Sequence, residues 1–163
     1  MMKSSFGFLA IIFMLALGSM ASCKSDKSKY QGLDLMKYGI PYIVYAPDDA
    51  VASQIGGGQM LDLRLANNDD YDVMIFMTKA QTKHLDRIKQ FKKEEVSFYP
   101  GFKKIIEEYN EGFIYEKYSS TGNISYDFYA IKVVGNNEIN FFSGAKRDYT
   151  EAEVKAMIRT ILY

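Results

Sequence analysis

Two stretches of strict alternation constrain this chain most. Leu61, Leu63 and Leu65 alternate with Asp62 and Arg64, and after a polar turn over 67–70 the run Val73, Ile75 and Met77 repeats the pattern. Ile124, Tyr126, Phe128 and Ala130 alternate along a second, longer segment, which Gly135-Asn136-Asn137 turns back into the run from Glu138 to Phe142. A side-chain period of two puts alternate residues on opposite faces of a pleated strand. Short polar turns between such runs predict antiparallel pairing. The chain must therefore build a sheet and cover its apolar face.

The other elements are read around that sheet. Ile40 to Ala46 (IPYIVYA) predicts a strand with Pro41 near its start, where a missing N–H is tolerated. Pro47-Asp48-Asp49 turns the chain, and Phe113 to Tyr118 predicts another strand. Between Thr82 and Val96, Leu85, Ile88, Phe91 and Val96 recur at helical spacing among charges. Pro100 can open a second helix with Phe102, Ile105, Ile106 and Tyr109 on its inner face, ended by Asn110-Glu111-Gly112. Thr150 and Glu153 form a capping box for a last helix, whose stripe is Val154, Met157, Ile158, Ile161 and Leu162. The expected class is α+β: a single antiparallel sheet of about six strands with two central helices and a C-terminal helix packed on one face. One domain over 32–163 is expected, since no internal repeat is visible.

The amino terminus carries a different signal. Lys3 is the only charge before Cys23, Phe6 to Leu17 are apolar, and Gly18 to Ser22 are mostly small, the layout of a signal peptide over 1–22. Cys23 is the only cysteine of the chain, so no internal disulfide is available and packing alone must hold the fold. Residues 24–29 are polar and charged, and 23–31 read as a lipidated Cys followed by a flexible tether. An uncleaved transmembrane helix and a plain secretory signal are the competing readings of the same segment.

Met20-Ala21-Ser22-Cys23 resembles the lipobox of bacterial lipoproteins. The resemblance implies that the Cys23 thiol receives a diacylglyceryl group and the new amino terminus a fatty acyl chain such as palmitate. It implies attachment to the membrane through that lipid. Lys24 in place of the Asp that retains such proteins in the inner membrane points to the outer membrane, facing the periplasm. The element order and the GIPYIVYAPDDA opening of the domain resemble PsbP-like α/β/α domains and small bacterial lipoproteins of unknown function. That second likeness touches topology and carries over no functional residue.

Chemistry is sparse. Formal net charge is zero, which argues against nucleic acid as a partner. His84 is the only histidine and lies among Lys83, Asp86 and Arg87 at the polar start of a helix. Without His and Cys clusters, no transition-metal site or cofactor is expected. Asn68, Asp70 and Asp72 alternate like the start of a calcium loop, but Val73 and Lys79 stand where Gly and Glu are needed. Gly56-Gly57-Gly58 lacks the Lys-Ser or Lys-Thr of a phosphate loop. Tyr42, Tyr115 and Tyr126 fall in predicted strands and are the candidate ligand-binding residues, since Tyr offers a broad apolar body and a polar tip; core packing is the competing role. The expectation is a lipid-anchored, non-catalytic envelope protein that binds a protein partner or a small ligand. The alternatives are an enzyme using carboxylates, Tyr and His84, and a structural subunit of an envelope complex.

Overall fold

The computed structural model describes residues 30–55, 61–67, 70–145 and 147–162. Cys23 and the lipobox lie outside them, as do Gly56-Gly57-Gly58 and Asn68. The described elements are β1 (Tyr30–Asp34), a 3-10 turn (Met36–Tyr38), β2 (Ile43–Pro47), β3 (Val51–Ile55), β4 (Leu61–Ala66), β5 (Asp72–Lys79), α1 (Leu85–Ser97), β6 (Phe102–Tyr109), β7 (Gly112–Tyr118), β8 (Ile124–Val134), β9 (Asn137–Ser143) and α2 (Glu151–Leu162). Seven strands form one antiparallel sheet in the order β3-β4-β5-β9-β8-β7-β6, and β1 and β2 pair as a separate hairpin.

This architecture corrects the expected one. The sheet has seven strands rather than about six, a second two-stranded sheet is present, and there are two α-helices among the described residues, not three. The helices also do not share one face. Alternate residues of β8 separate the layers. Phe128 and Ala130 join α2 residues Val154, Met157, Ile158 and Ile161 in one core, while Tyr129 and Ile131 join α1 residues Ile88 and Val96 in another. The β1–β2 hairpin lies on the α2 side, where Leu35, Ile40, Val44 and Ala46 enter that core.

The segment read as a second helix is strand β6, and its bulges explain the misreading. Lys103 and Ile106 are extra residues against β7, at the register shifts between Phe102 and Lys104 and between Ile105 and Glu107. In a regular strand Phe102 and Ile105 would point to opposite faces. One bulge between them brings both to the α1 side, and the second lets Ile106 and Tyr109 both pack on the α2 side. Spacings of three and four residues then imitate a helical stripe. Pairing with β7 through the short Asn110-Glu111 turn overrides the periodicity. Gly112 permits the next pairing: a Cβ there would come within 2.4 Å of the Tyr129 carbonyl oxygen.

Coverage of the two faces is unequal. Six spacings of roughly 4.8 Å make the sheet about 29 Å wide, whereas a helix is about 10–12 Å across. On the α2 side, the helix and the hairpin share the work. On the other side α1 is the one element among the described residues that covers β6, β7 and β8, held by Ile88 and Val96. Met74 and Phe76 of β5 and Phe142 of β9 are only half-buried on that side, and they line the candidate site.

Candidate functional site

A groove of about 510 Å³ runs beside α1, where the helix stops covering the sheet. β5, β8 and β7 supply alternate residues to it, and β9 its last two. Met74 and Phe76 come from β5, Phe142 and Ser143 from β9, Asp127 and Tyr129 from β8, and Tyr115 and Lys117 from β7. Lys92 and Glu95 line it from α1, and Tyr99 from the turn beyond. Two of its rings stack, and one of them rests on a buried ring behind it. Tyr129 stacks with Phe142 at 5.9 Å between ring centroids and with Phe113 at 5.9 Å.

The polar groups that line the groove are consumed by one another. Asp127 accepts from the Tyr115 hydroxyl at 3.3 Å and from the Ser143 hydroxyl, and pairs with the Lys117 ammonium at 2.5 Å. Glu95 accepts from Lys92 at 3.0 Å and from the Tyr99 hydroxyl at 3.1 Å. The Lys92 ammonium also stands 5.4 Å from the Tyr129 ring centroid, on its face. Burial pushes the Tyr115 phenol well up, and the Asp127 charge adds to it. Burial likewise raises Tyr129 and Tyr99, with Glu95 contributing to both. Raised in this way, Tyr115 and Tyr99 act as neutral donors to Asp127 and Glu95.

The three tyrosines expected to bind a ligand are not brought together. Tyr115 lies in this groove, nearly buried. Tyr42 and Tyr126 are half-buried on the opposite side of the sheet, packed against the α2 core. The Tyr42 hydroxyl donates to the Ile161 carbonyl at 2.6 Å, and its ring packs 5.4 Å from Phe141, so it ties β2 to the end of α2. Tyr126 donates its N–H to the Tyr149 carbonyl at 3.0 Å. These contacts are structural ones.

Other sequence candidates disperse as well. His84 is exposed at the start of α1, outside the groove. Of the calcium-like run, Asp70 is exposed, whereas Asp72 is buried against Arg64 and Tyr149. Among the described residues, no group of three or more His, Cys, Asp or Glu is placed to hold a metal ion. A second hollow of about 340 Å³ lies between the β6–β7 turn and the end of α2, with Glu107, Tyr109, Glu111 and Arg159 around it. There burial and the Glu107 hydrogen bond push Tyr109 up to about 12.

Sequence reasoning missed Asp127, Tyr129, Phe142 and Ser143. For the first two a signal exists: if Phe128 and Ala130 face one core, the period of two sends Asp127, Tyr129 and Ile131 together to the other side. Tyr99 has no such signal, because it follows the helix and reaches the groove only through the path of the turn. No family model matches the sequence, and no curated protein is significantly similar to it.

Proposed function

We propose that this chain is a lipid-anchored, non-catalytic binding module of a bacterial cell envelope, acylated at Cys23 and held at the outer membrane facing the periplasm. The groove beside α1 is its ligand surface. The anchor is supported by the apolar leader and the lipobox-like Met20-Ala21-Ser22-Cys23. Stable attachment takes more than one acyl chain, a requirement that a diacylated or triacylated cysteine meets by itself.

The observation that carries the binding reading is the pairing inside the groove. Asp127, Lys117, Glu95 and Lys92 are each matched to an opposite charge, and the Asp127 carboxylate that accepts from Ser143 is also held by the Lys117 ammonium and the Tyr115 hydroxyl. A nucleophile needs a base free to take its proton, and here the one carboxylate beside Ser143 is shared with an ammonium and a second hydroxyl. What the groove offers is aromatic area with a fixed rim of charges, which suits recognition. An enzyme built around His84 has less support, because that side chain is exposed and away from the groove.

Two experiments test the reading. Cys23→Ala is expected to abolish fatty-acid labelling and to release the chain from the membrane fraction; a variant that still labels and sediments with membranes refutes the anchor. For the groove, a photo-crosslinking residue at Phe142 is expected to give a discrete adduct in cells. The same residue at Gln54, exposed on edge strand β3, serves as the reference. Equal adducts from both positions, or none from Phe142, count against the groove.

A further inference from the structure

The β1–β2 hairpin has an inner and an outer face. Val44 and Ala46 are fully buried, while Ile43 and Tyr45, which alternate with them, are 53% and 48% exposed. The pairing places Gly32 opposite Tyr45, Asp34 opposite Ile43 and Tyr30 opposite Pro47. The outer face is therefore Tyr30, Gly32, Asp34, Ile43, Tyr45 and Pro47. Gly32 leaves room for its neighbours: a Cβ there would touch Ile43 at 3.4 Å and Tyr45 at 3.7 Å. Asp34 is the one charge on this face, and its carboxylate is already engaged by the Met36 N–H at 2.8 Å. The result is a largely apolar strip that carries two tyrosines, Tyr30 and Tyr45.

Its position relative to Cys23 is set by covalent geometry. Seven residue steps separate Cys23 from Tyr30, which itself belongs to the strip. Whatever conformation residues 24–29 take, those steps span at most about 25 Å. An acylated Cys23 therefore holds the hairpin close to the bilayer surface. Tyrosine is favoured at that interface, where its ring sits among headgroups and its hydroxyl stays wet.

We infer that the outer face of the β1–β2 hairpin rests on the lipid headgroup region and orients the domain, a proposal that depends on the acylation of Cys23. The α1 groove lies on the opposite side of the seven-stranded sheet, so this orientation turns it away from the bilayer, toward soluble partners. A second exposed aromatic, Phe98, 85% exposed at the end of α1, then also points away from the lipid.

The chain contains no tryptophan, so one introduced indole reports a single place. Acylated full-length chains carrying Tyr45→Trp or Phe98→Trp are reconstituted into phosphatidylethanolamine–phosphatidylglycerol vesicles with ordinary or brominated acyl chains. The expected result is loss of emission with brominated lipid for Tyr45→Trp and unchanged emission for Phe98→Trp. Chains that float with the vesicles yet show no quenching at position 45 overturn the orientation while leaving the anchor intact. So does a blue shift at 45 without quenching, which marks a protein contact, and so does quenching at 98 alone. A chain that does not float with the vesicles refutes the anchor, and the orientation falls with it.

Discussion

Arg64 reaches from β4 to place two nitrogens on the Asp72 carboxylate of β5 at 2.6 and 2.7 Å, and the Tyr149 hydroxyl adds a third bond at 3.2 Å. The Asp72 side chain is only 8% exposed, against 22% for Arg64. Removing one member of such a pair strands a desolvated charge, which costs more than the pair contributes. Arg64→Ala is therefore expected to lower stability by about 3 kcal/mol, read from the urea midpoint at constant slope. Replacing both residues together, Arg64→Met with Asp72→Leu, should cost less than Arg64→Ala alone. The sequence shows Asp72 only as a member of a polar turn with Asn68 and Asp70. Its burial follows from Gly144, whose missing Cβ leaves the space that the carboxylate fills; an added Cβ would lie 2.2 Å from it.

At the scale of elements, α2 is the one most fully legible beforehand. Its capping box forms as expected: Glu153 N–H donates to Thr150 Oγ1 at 3.3 Å, and Thr150 N–H donates to Glu153 Oε2 at 2.7 Å. Val154, Met157, Ile158 and Ile161 are buried along one stripe. Thr150→Ala is expected to cost about 1 kcal/mol, visible as a lower urea midpoint, with Thr150→Ser restoring most of it. The strands β4, β5, β8 and β9 were legible for the same reason, because one period runs unbroken along each. Strand β6 was not, because two bulges convert its period of two into spacings that a helix also produces. Strand β3 was not foreseen, because Val51 to Ile55 has no alternation of its own. Val51 to Ile55 pair with β4 as an edge, and an edge strand needs only one partner to form.

Across the whole molecule, ion pairs and hydrogen bonds to carboxylates set the response to acid. The hydrogen bond from Tyr109, then Lys155, holds the Glu107 carboxyl below its ordinary value of 4.5, and Lys103 does the same for Glu116. Burial pushes Glu153 up, but bonds from Thr150 and Arg147 more than offset it. A carboxylate with a lowered folded pKa takes up protons more readily in the unfolded chain, so stability rises with pH in that range. The contribution of these groups is full at neutral pH. It begins to fall as the pH drops through 4.5 and is lost once the lower folded values are passed. Thermal melts from pH 7 down to 3 should show a plateau followed by a decline, and 1 M salt, which screens exposed pairs, should flatten that decline. A melting temperature that stays constant through pH 4 contradicts this assignment. The groove also belongs to this scale, since seven strands spread wider than one helix can cover. Local pattern decided by itself where strands alternate, where α2 begins and which residues of β8 share a face, because those depend on neighbours three or four residues away. Only the tertiary structure decided that β6 pairs rather than coils, that the two helices lie on opposite faces, and that Tyr115 parts from Tyr42 and Tyr126. Strand order and layer coverage depend on contacts between residues far apart in the chain, and no local period records them.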